Sequence, residues 1–278
     1  MNSENYKIAL IGSGNLATHI GLALRKNGIE ILQVISKTED NAKTLGKKLD
    51  CDYSLKLKDL HKASNFLIVA VADKVIVEIA KELENTDKLV VHTSGSTAIS
   101  ALEKINNHGV FYPLQTFSKE RSLDFSTVPA FIEAGDPQSY QRISGLAQIL
   151  CSRVDFASSP QRKQMHLAAV FACNFTNYLY SISRELIESE GLNFDSLRPL
   201  ILETARKVMD IDPVDAQTGP AKRNDVNTMV HHLEMLSNHK EYQKLYSFVS
   251  EGISKRYYAE NKGNKQFSWD TLKQNLKM

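Results

Sequence analysis

The chain has 278 residues, 34 of them Lys or Arg and 32 Asp or Glu, for a formal charge of +2. A balance this even gives no electrostatic case for nucleic acid or an anionic membrane, and a hydrophobic share of 42% excludes a disordered chain. The three cysteines, Cys51, Cys151 and Cys173, are far apart and form no CxxC pair. A disulfide framework and a metal site are therefore not expected, whereas reduced thiols in a cytoplasm are.

The opening stretch MNSENYKIALIG lacks the basic segment and long apolar run of a signal peptide. No apolar run approaches the ~20 residues that span a bilayer. Tyr6–Ile11 reads as a strand, followed by GSGNLA and a helix over Leu16–Lys26 that Asn27-Gly28 ends. Ile29–Ile35 is a second strand and Asp40–Leu49 a second helix. Phe66–Ala72 (FLIVAVA) has the continuous apolar character of a strand buried on both faces. A helix over Lys74–Glu84, a strand over Lys88–His92 and a short helix over Ser100–Asn107 follow. Val110–Tyr112 and Ala130–Glu133 are weaker strands, Ser139–Leu150 a helix and Arg153–Phe156 a last short strand. This alternation predicts an α/β domain over 1–157, built on a doubly wound parallel sheet.

Ligands of such sheets bind beyond the carboxyl ends of the strands. Gly12-Ser13-Gly14-Asn15-Leu16-Ala17 matches GxGxxG/A directly after the first strand. Gly12 allows the tight turn, Gly14 lets a pyrophosphate approach, and Ala17 permits close packing of helix on strand. The free N–H groups at the start of that helix favour phosphate. At the end of the second strand, where an NAD enzyme carries an acid for the ribose hydroxyls, this chain has Ser36-Lys37-Thr38. A hydroxyl and an ammonium welcome a 2′-phosphate, so NADP is expected over NAD. Val71 and Ala72 are small apolar residues placed to pass beside the ribose and nicotinamide, with Thr93 following the next strand. Asp73 is expected to cap the helix behind it.

From Ser158 the pattern becomes helical, and an all-α domain is expected over 158–278. SSPQRKQ opens a helix that runs to about Ser189. Further helices are expected over Asp195–Asp210, Val226–Ser237 and Lys240–Glu260, with IDPVDAQTGPAKRND as a loop. The first of these helices contains MHLAAVFACNFTNYLY, an apolar run holding His166, Asn174 and Asn177. Counting about 100° per residue, Lys163, Asn174, Asn177 and Ser181 all fall within about 80° of His166. One narrow polar stripe on an apolar helix suits a partner helix, a subunit interface or a ligand cleft.

IGSGNLATHIGLAL, VVHTSGS, FYPLQTFS, HLAAVFACN and TGPAKRND resemble, in this order, segments of a family of oxidoreductases that joins a Rossmann-like domain to a domain of unknown function, number 2520. More distantly the chain is similar to pyrroline-5-carboxylate reductases, β-hydroxyacid dehydrogenases and deazaflavin-dependent NADP reductases. The resemblance implies a C-terminal domain of the 6-phosphogluconate dehydrogenase type and dimerisation through it. It also implies a substrate site at Ser94-Gly95-Ser96, where β-hydroxyacid dehydrogenases hold a carboxylate. Those enzymes carry a Lys and an Asn one turn apart on the long helix, whereas the position four before Asn174 is here Val170. In TGPAKRND, Asn224 stands where the family has Gly, and Asn tolerates the left-handed turn. Arg223 is placed to hold a carboxylate or a structural ion pair, and Asn224 or Asp225 to cap the next helix.

These readings converge on hydride transfer between NADPH and a small carbonyl, imine or hydroxyacid. His166 is the expected general acid/base, Asn174 the orienting residue, and His92 and Tyr112 are further proton-donor candidates. The cofactor is expected on Gly12, Ser13, Gly14, Asn15, Leu16, Ser36, Lys37, Val71, Ala72 and Thr93, and the substrate on Ser94, Gly95, Ser96 and Arg223. Neither a metal, a nucleic acid nor a membrane is expected as a partner. A non-catalytic NADP-binding sensor or scaffold is the alternative.

Overall fold

The structure, a computed structural model, describes residues 6–258. Its contacts divide the chain into two compact units, the first ending at Thr176 and the second beginning at Asn177.

The first unit is built on eight strands: β1 (Lys7–Ile11), β2 (Glu30–Ile35), β3 (Asp52–Ser54), β4 (Phe66–Val69), β5 (Leu89–His92), β6 (His108–Pro113), β7 (Ala130–Ala134) and β8 (Val154–Phe156). They lie side by side in the order β3-β2-β1-β4-β5-β6-β7-β8. The first six are parallel and follow the 3-2-1-4-5-6 order of a dinucleotide-binding sheet. β7 then pairs antiparallel to β6, with β8 parallel to β7. The sheet is thus mixed at one edge, a departure from the all-parallel expectation. The three-residue β3 is too short and polar to stand out in the sequence.

Around the sheet lie α1 (Asn15–Lys26), α2 (Glu39–Leu49), α3 (Asp73–Glu82), α4 (Pro137–Leu150) and α5 (Ser159–Ala169). Strand residues alternate between two cores, as a period of two requires. Ile8, Leu10, Phe66, Ile68, Leu89 and Val91 join one cluster with Ile20 and Leu24 of α1, Leu45 and Leu49 of α2 and Leu146 of α4. Ala9, Ile11, Leu67, Val69 and Val90 join the other with Ile76 and Ala80 of α3. Each such Leu or Ile contributes about 1.5–3 kcal/mol on leaving water. Gly28 closes α1 at φ +70°. Between β5 and β6 the expected helix is a single 3-10 turn, Ile99–Leu102. The segment is too short to recover the cost of nucleating an α-helix.

α5 opens on a capping box, in which Ser158 and Gln161 satisfy each other's backbone donors. It passes into a π-helical stretch, Val170–Phe175, and then into α6 (Thr176–Glu188). π winding takes more residues per turn than α, so the uniform count of about 100° per residue fails beyond residue 170.

The second unit adds α7 (Arg198–Asp210), α8 (Pro213–Ala216), α9 (Pro220–Arg223), α10 (Val226–Met235) and α11 (Lys240–Tyr258). α8 and α9 are single turns begun by proline within the segment expected to be loop. Its compact core is Ala221, Met229 and Leu233, with Val226, Val230, Tyr246 and Ile253 against them. Among the described residues no helix is long and apolar enough to cross a membrane.

Candidate functional site

The strand order reverses between β1 and β4, and the segments following these strands meet there. Gly12 has φ +118°, and a Cβ on it would lie 2.1 Å from the Ala70 carbonyl oxygen and 3.3 Å from Val71 Cγ1. Only glycine lets the turn after β1 pass this close to the turn after β4. A Cβ on Gly14 would meet nothing within 4 Å, and no side chain caps α1. The first N–H groups of α1 thus open onto free space, an arrangement that accepts an anionic group. Ala17 is fully buried against the sheet.

At the end of β2, Ser36 Oγ lies 2.6 Å from Ser13 Oγ, so the glycine-rich turn and the second strand end form one surface. Lys37 beside them is exposed. These residues, with no acid at the strand end, fit a dinucleotide with a 2′-phosphate. Asn15 and Leu16 offer backbone only: Asn15 Nδ2 donates to the Phe117 carbonyl at 2.8 Å, and Leu16 packs on the core. Thr93 is turned inward, its hydroxyl donating to Val69 O at 3.4 Å. Ala72 is exposed at the start of α3, and Val71 is half-buried beside Gly12. A cavity of 310 Å³ is lined by His19 of α1 and by Gln115, Ser118 and Arg121 of the segment after β6.

Beyond β5 the Ser94–Thr97 loop is fixed from inside. Ser94 N donates to His92 Nδ1 at 3.2 Å, while Ser94 Oγ accepts from Ser96 N at 3.1 Å and Thr97 N at 2.9 Å. These three N–H groups are therefore spent within the loop. Ser96 Oγ donates to the Asp73 carboxylate. Asp73 makes no side-chain cap to α3, contrary to expectation. Its reach is toward Ser96, because as the first residue of the helix it stands one position beyond the cap.

Two aromatic rings cover this loop. A Cβ on Gly95 would lie 2.8 Å from Tyr112 Cζ and 2.9 Å from His166 Cβ and Cγ. Tyr112 Oη is 3.2 Å from His166 Nδ1. Burial pushes the Tyr112 pKa up, with Arg162 opposing and Asp73 reinforcing. His166 is half-buried. His92 is wholly buried, and its Nε2 has no hydrogen-bond partner. Burial, then the charge of Arg162, pushes its pKa down to about 4. With no surface open to a substrate, His92 is not placed to donate a proton to one.

Arg162 and Glu133 are the residues that sequence reading misses. Arg162 has no exposed surface. Its Nη1 donates to Glu133 Oε2 at 2.6 Å, its Nε to Ser94 O at 3.1 Å, and its Nη2 to Thr97 O at 2.6 Å and Ser159 Oγ at 3.2 Å. Ser159 Oγ in turn donates to Glu133 Oε2 at 2.7 Å. A buried guanidinium thus ties α5 and β7 to both ends of the Ser94–Thr97 loop. No local signal betrays it, since QRKQ reads as a solvated helix start.

Asn174 is exposed on the π stretch. In the second unit Arg223 ends α9 and is exposed, Asn224 takes φ +54°, and Asp225 caps α10 by accepting from Thr228 N at 3.2 Å.

Residues 7–95 match the family model described as NADP oxidoreductase coenzyme F420-dependent, and residues 128–253 match the domain of unknown function 2520. A crystal structure from Bacteroides fragilis, assigned as an NADP oxidoreductase, is 41% identical over 91% of this chain and 100% of its own, with a TM-score of 0.87. A Thermotoga maritima protein is 22% identical, with 88% and 99% covered and a TM-score of 0.70. An imine reductase of Streptomyces aurantiacus shares the fold at 15% identity, with 98% and 100% covered and a TM-score of 0.63. No curated protein matches the chain by sequence.

Proposed function

The chain belongs to the Rossmann-type NADP oxidoreductases that carry the C-terminal domain of unknown function 2520, and on that premise we propose that it uses NADPH to reduce a small molecule held beside Ser94-Gly95-Ser96. The observation that carries this reading is the switch point between β1 and β4. There an uncapped helix start and the open room above Gly14 adjoin the Ser13–Ser36 contact. Gly12, Ser13, Gly14, Asn15 and Leu16 would hold the pyrophosphate through backbone. Ser36 and Lys37 would hold the 2′-phosphate, and Val71, Ala72 and Thr93 would flank the nicotinamide half. When bound, the reduced nicotinamide supplies the hydride.

The chain's own part is a proton and a position. Tyr112 Oη, 3.2 Å from His166 Nδ1, would hold the ring in place; as the imidazolium, His166 would donate its Nδ1–H to Tyr112 Oη and give the Nε2 proton to the substrate, leaving a neutral ring. The half-buried ring then recovers a proton from water. Asn174 would orient substrate or water. A working place in the cytoplasm keeps Cys51, Cys151 and Cys173 reduced.

We also read the chain as a homodimer. α7 buries no residue and α6 buries only Ile182, although both are rich in Leu and Ile. Phe171, Met209 and Phe248 stand 63%, 82% and 78% exposed. Apolar surface on this scale is covered in a stable protein.

The test is a titration of NADPH and NADH, followed by a screen of carbonyls, imines and hydroxyacids read at the nicotinamide absorbance. NADPH is expected to bind more tightly, and Lys37→Ala to narrow the difference by about tenfold. His166→Ala is expected to keep NADPH affinity and lose about 10²-fold or more in turnover. NADH binding as tightly as NADPH would sink the cofactor assignment, and full turnover by His166→Ala would sink the proton assignment.

A further inference from the structure

The groups around the Ser94–Ser96 loop carry a definite charge. Arg162, the cation behind it, is paired with Glu133, and three more of its N–H donors go to Ser94, Thr97 and Ser159. The backbone donors of Ser94, Ser96 and Thr97 are engaged inside the loop. What faces outward is the exposed carboxylate of Asp73, with Ser96 Oγ on one oxygen. Among the described residues no cation is within ion-pair distance of it. Its charge reaches Tyr112, where the buried Arg162 acts in the opposite sense and more strongly, and that ring together with His166 covers Gly95.

Reduction of a ketone places growing negative charge on oxygen, and an unpaired carboxylate opposes it. A substrate carboxylate would be repelled in the same way. A protonated C=N is favoured, because its positive charge is present before hydride arrives. We propose that this site takes a nitrogen substrate, reduced as an iminium whose N–H is held by Asp73. This rests on the reading of the loop as the substrate site of an NADPH reductase.

The step balances without another reactant. Hydride from the reduced nicotinamide forms the new C–H bond, and the π electrons of C=N become the nitrogen lone pair. The nicotinamide is oxidised and the iminium is reduced to an amine. The product amine then takes a proton from His166 or water, and as an ammonium it still meets the Asp73 carboxylate.

The experiment is an NMR titration of the full-length protein, with and without saturating NADP+. The probes are pyrrolidine (an ammonium at neutral pH), cyclopentanol and cyclopentanecarboxylate. Pyrrolidine is expected to bind most tightly, and Asp73→Asn to weaken it roughly tenfold, the loss of one charge-assisted hydrogen bond. NADP+ affinity and thermal unfolding of the variant are expected to be unchanged. The proposal is overturned if the carboxylate or the alcohol binds as tightly as the amine, if Asp73→Asn leaves amine affinity intact, or if no probe binds. The NADP+ titration reports separately on the cofactor reading, so loss of either one is recognised without the other.

Discussion

His92 closes β5 with its imidazole sealed from water, and its buried Nε2 is unpaired. Its pKa of about 4, against an ordinary 6.5, means that the unfolded chain takes up a proton before the folded one does. The resulting stability is fully present above pH 6.5, is lost as pH falls toward 4, and changes no further below that. Its size is about 3 kcal/mol. Urea midpoints measured from pH 7 to pH 4 should therefore fall, and His92→Asn, which keeps an acceptor for Ser94 N–H, should flatten the fall. An unchanged slope in the variant would place the effect elsewhere. At this scale contiguous motifs are legible in sequence: Gly12, Gly14 and Ser36 can be placed from neighbours alone. The facing of Tyr112 and His166 is not, because it depends on β6 and α5 meeting across Gly95.

At the scale of elements, strand and helix periodicity places most of the first unit within a residue or two. It misses the three-residue β3, the antiparallel direction of β7 and the π stretch after α5. Each of these is decided by tertiary partners. MHLAAVFACNFTNYLY reads as an apolar helix with one polar stripe, and its Leu167, Phe171, Phe175 and Tyr178 are exposed in the single chain. The Arg162–Glu133 pair is equally invisible, since its members lie 29 residues apart on a helix and a strand. Breaking it leaves a charge with little water. Arg162→Met should cost about 3–5 kcal/mol in denaturant unfolding. Adding Glu133→Leu should recover part of that loss, because the stranded carboxylate goes too. It should not recover all, since the Ser94 and Thr97 carbonyls stay unpaired. A double variant no more stable than the single would show that the carboxylate is not the source of the cost.

At the scale of the whole molecule, the apolar surface exposed on α6, α7, α11 and the π stretch is what the proposed homodimer would cover. Light scattering during gel filtration should return twice the mass of the chain. Phe171→Glu should shift the protein toward the monomer and lower its melting temperature, because a charge replaces a side chain expected to be covered. A wild-type monomer would contradict this reading.

The central claim is that the turns after β1 and β2 hold NADP and deliver its nicotinamide to the loop under Tyr112 and His166. A crystal structure of the NADP+ complex tests it most directly. The expected map has the pyrophosphate on the N–H groups after Gly14, the 2′-phosphate within hydrogen-bond reach of Ser36 and Lys37, and the nicotinamide ring beside Ser94-Gly95-Ser96 with His166 over it. A dinucleotide bound with its nicotinamide away from that loop, or with its 2′-phosphate away from Ser36 and Lys37, would contradict the account.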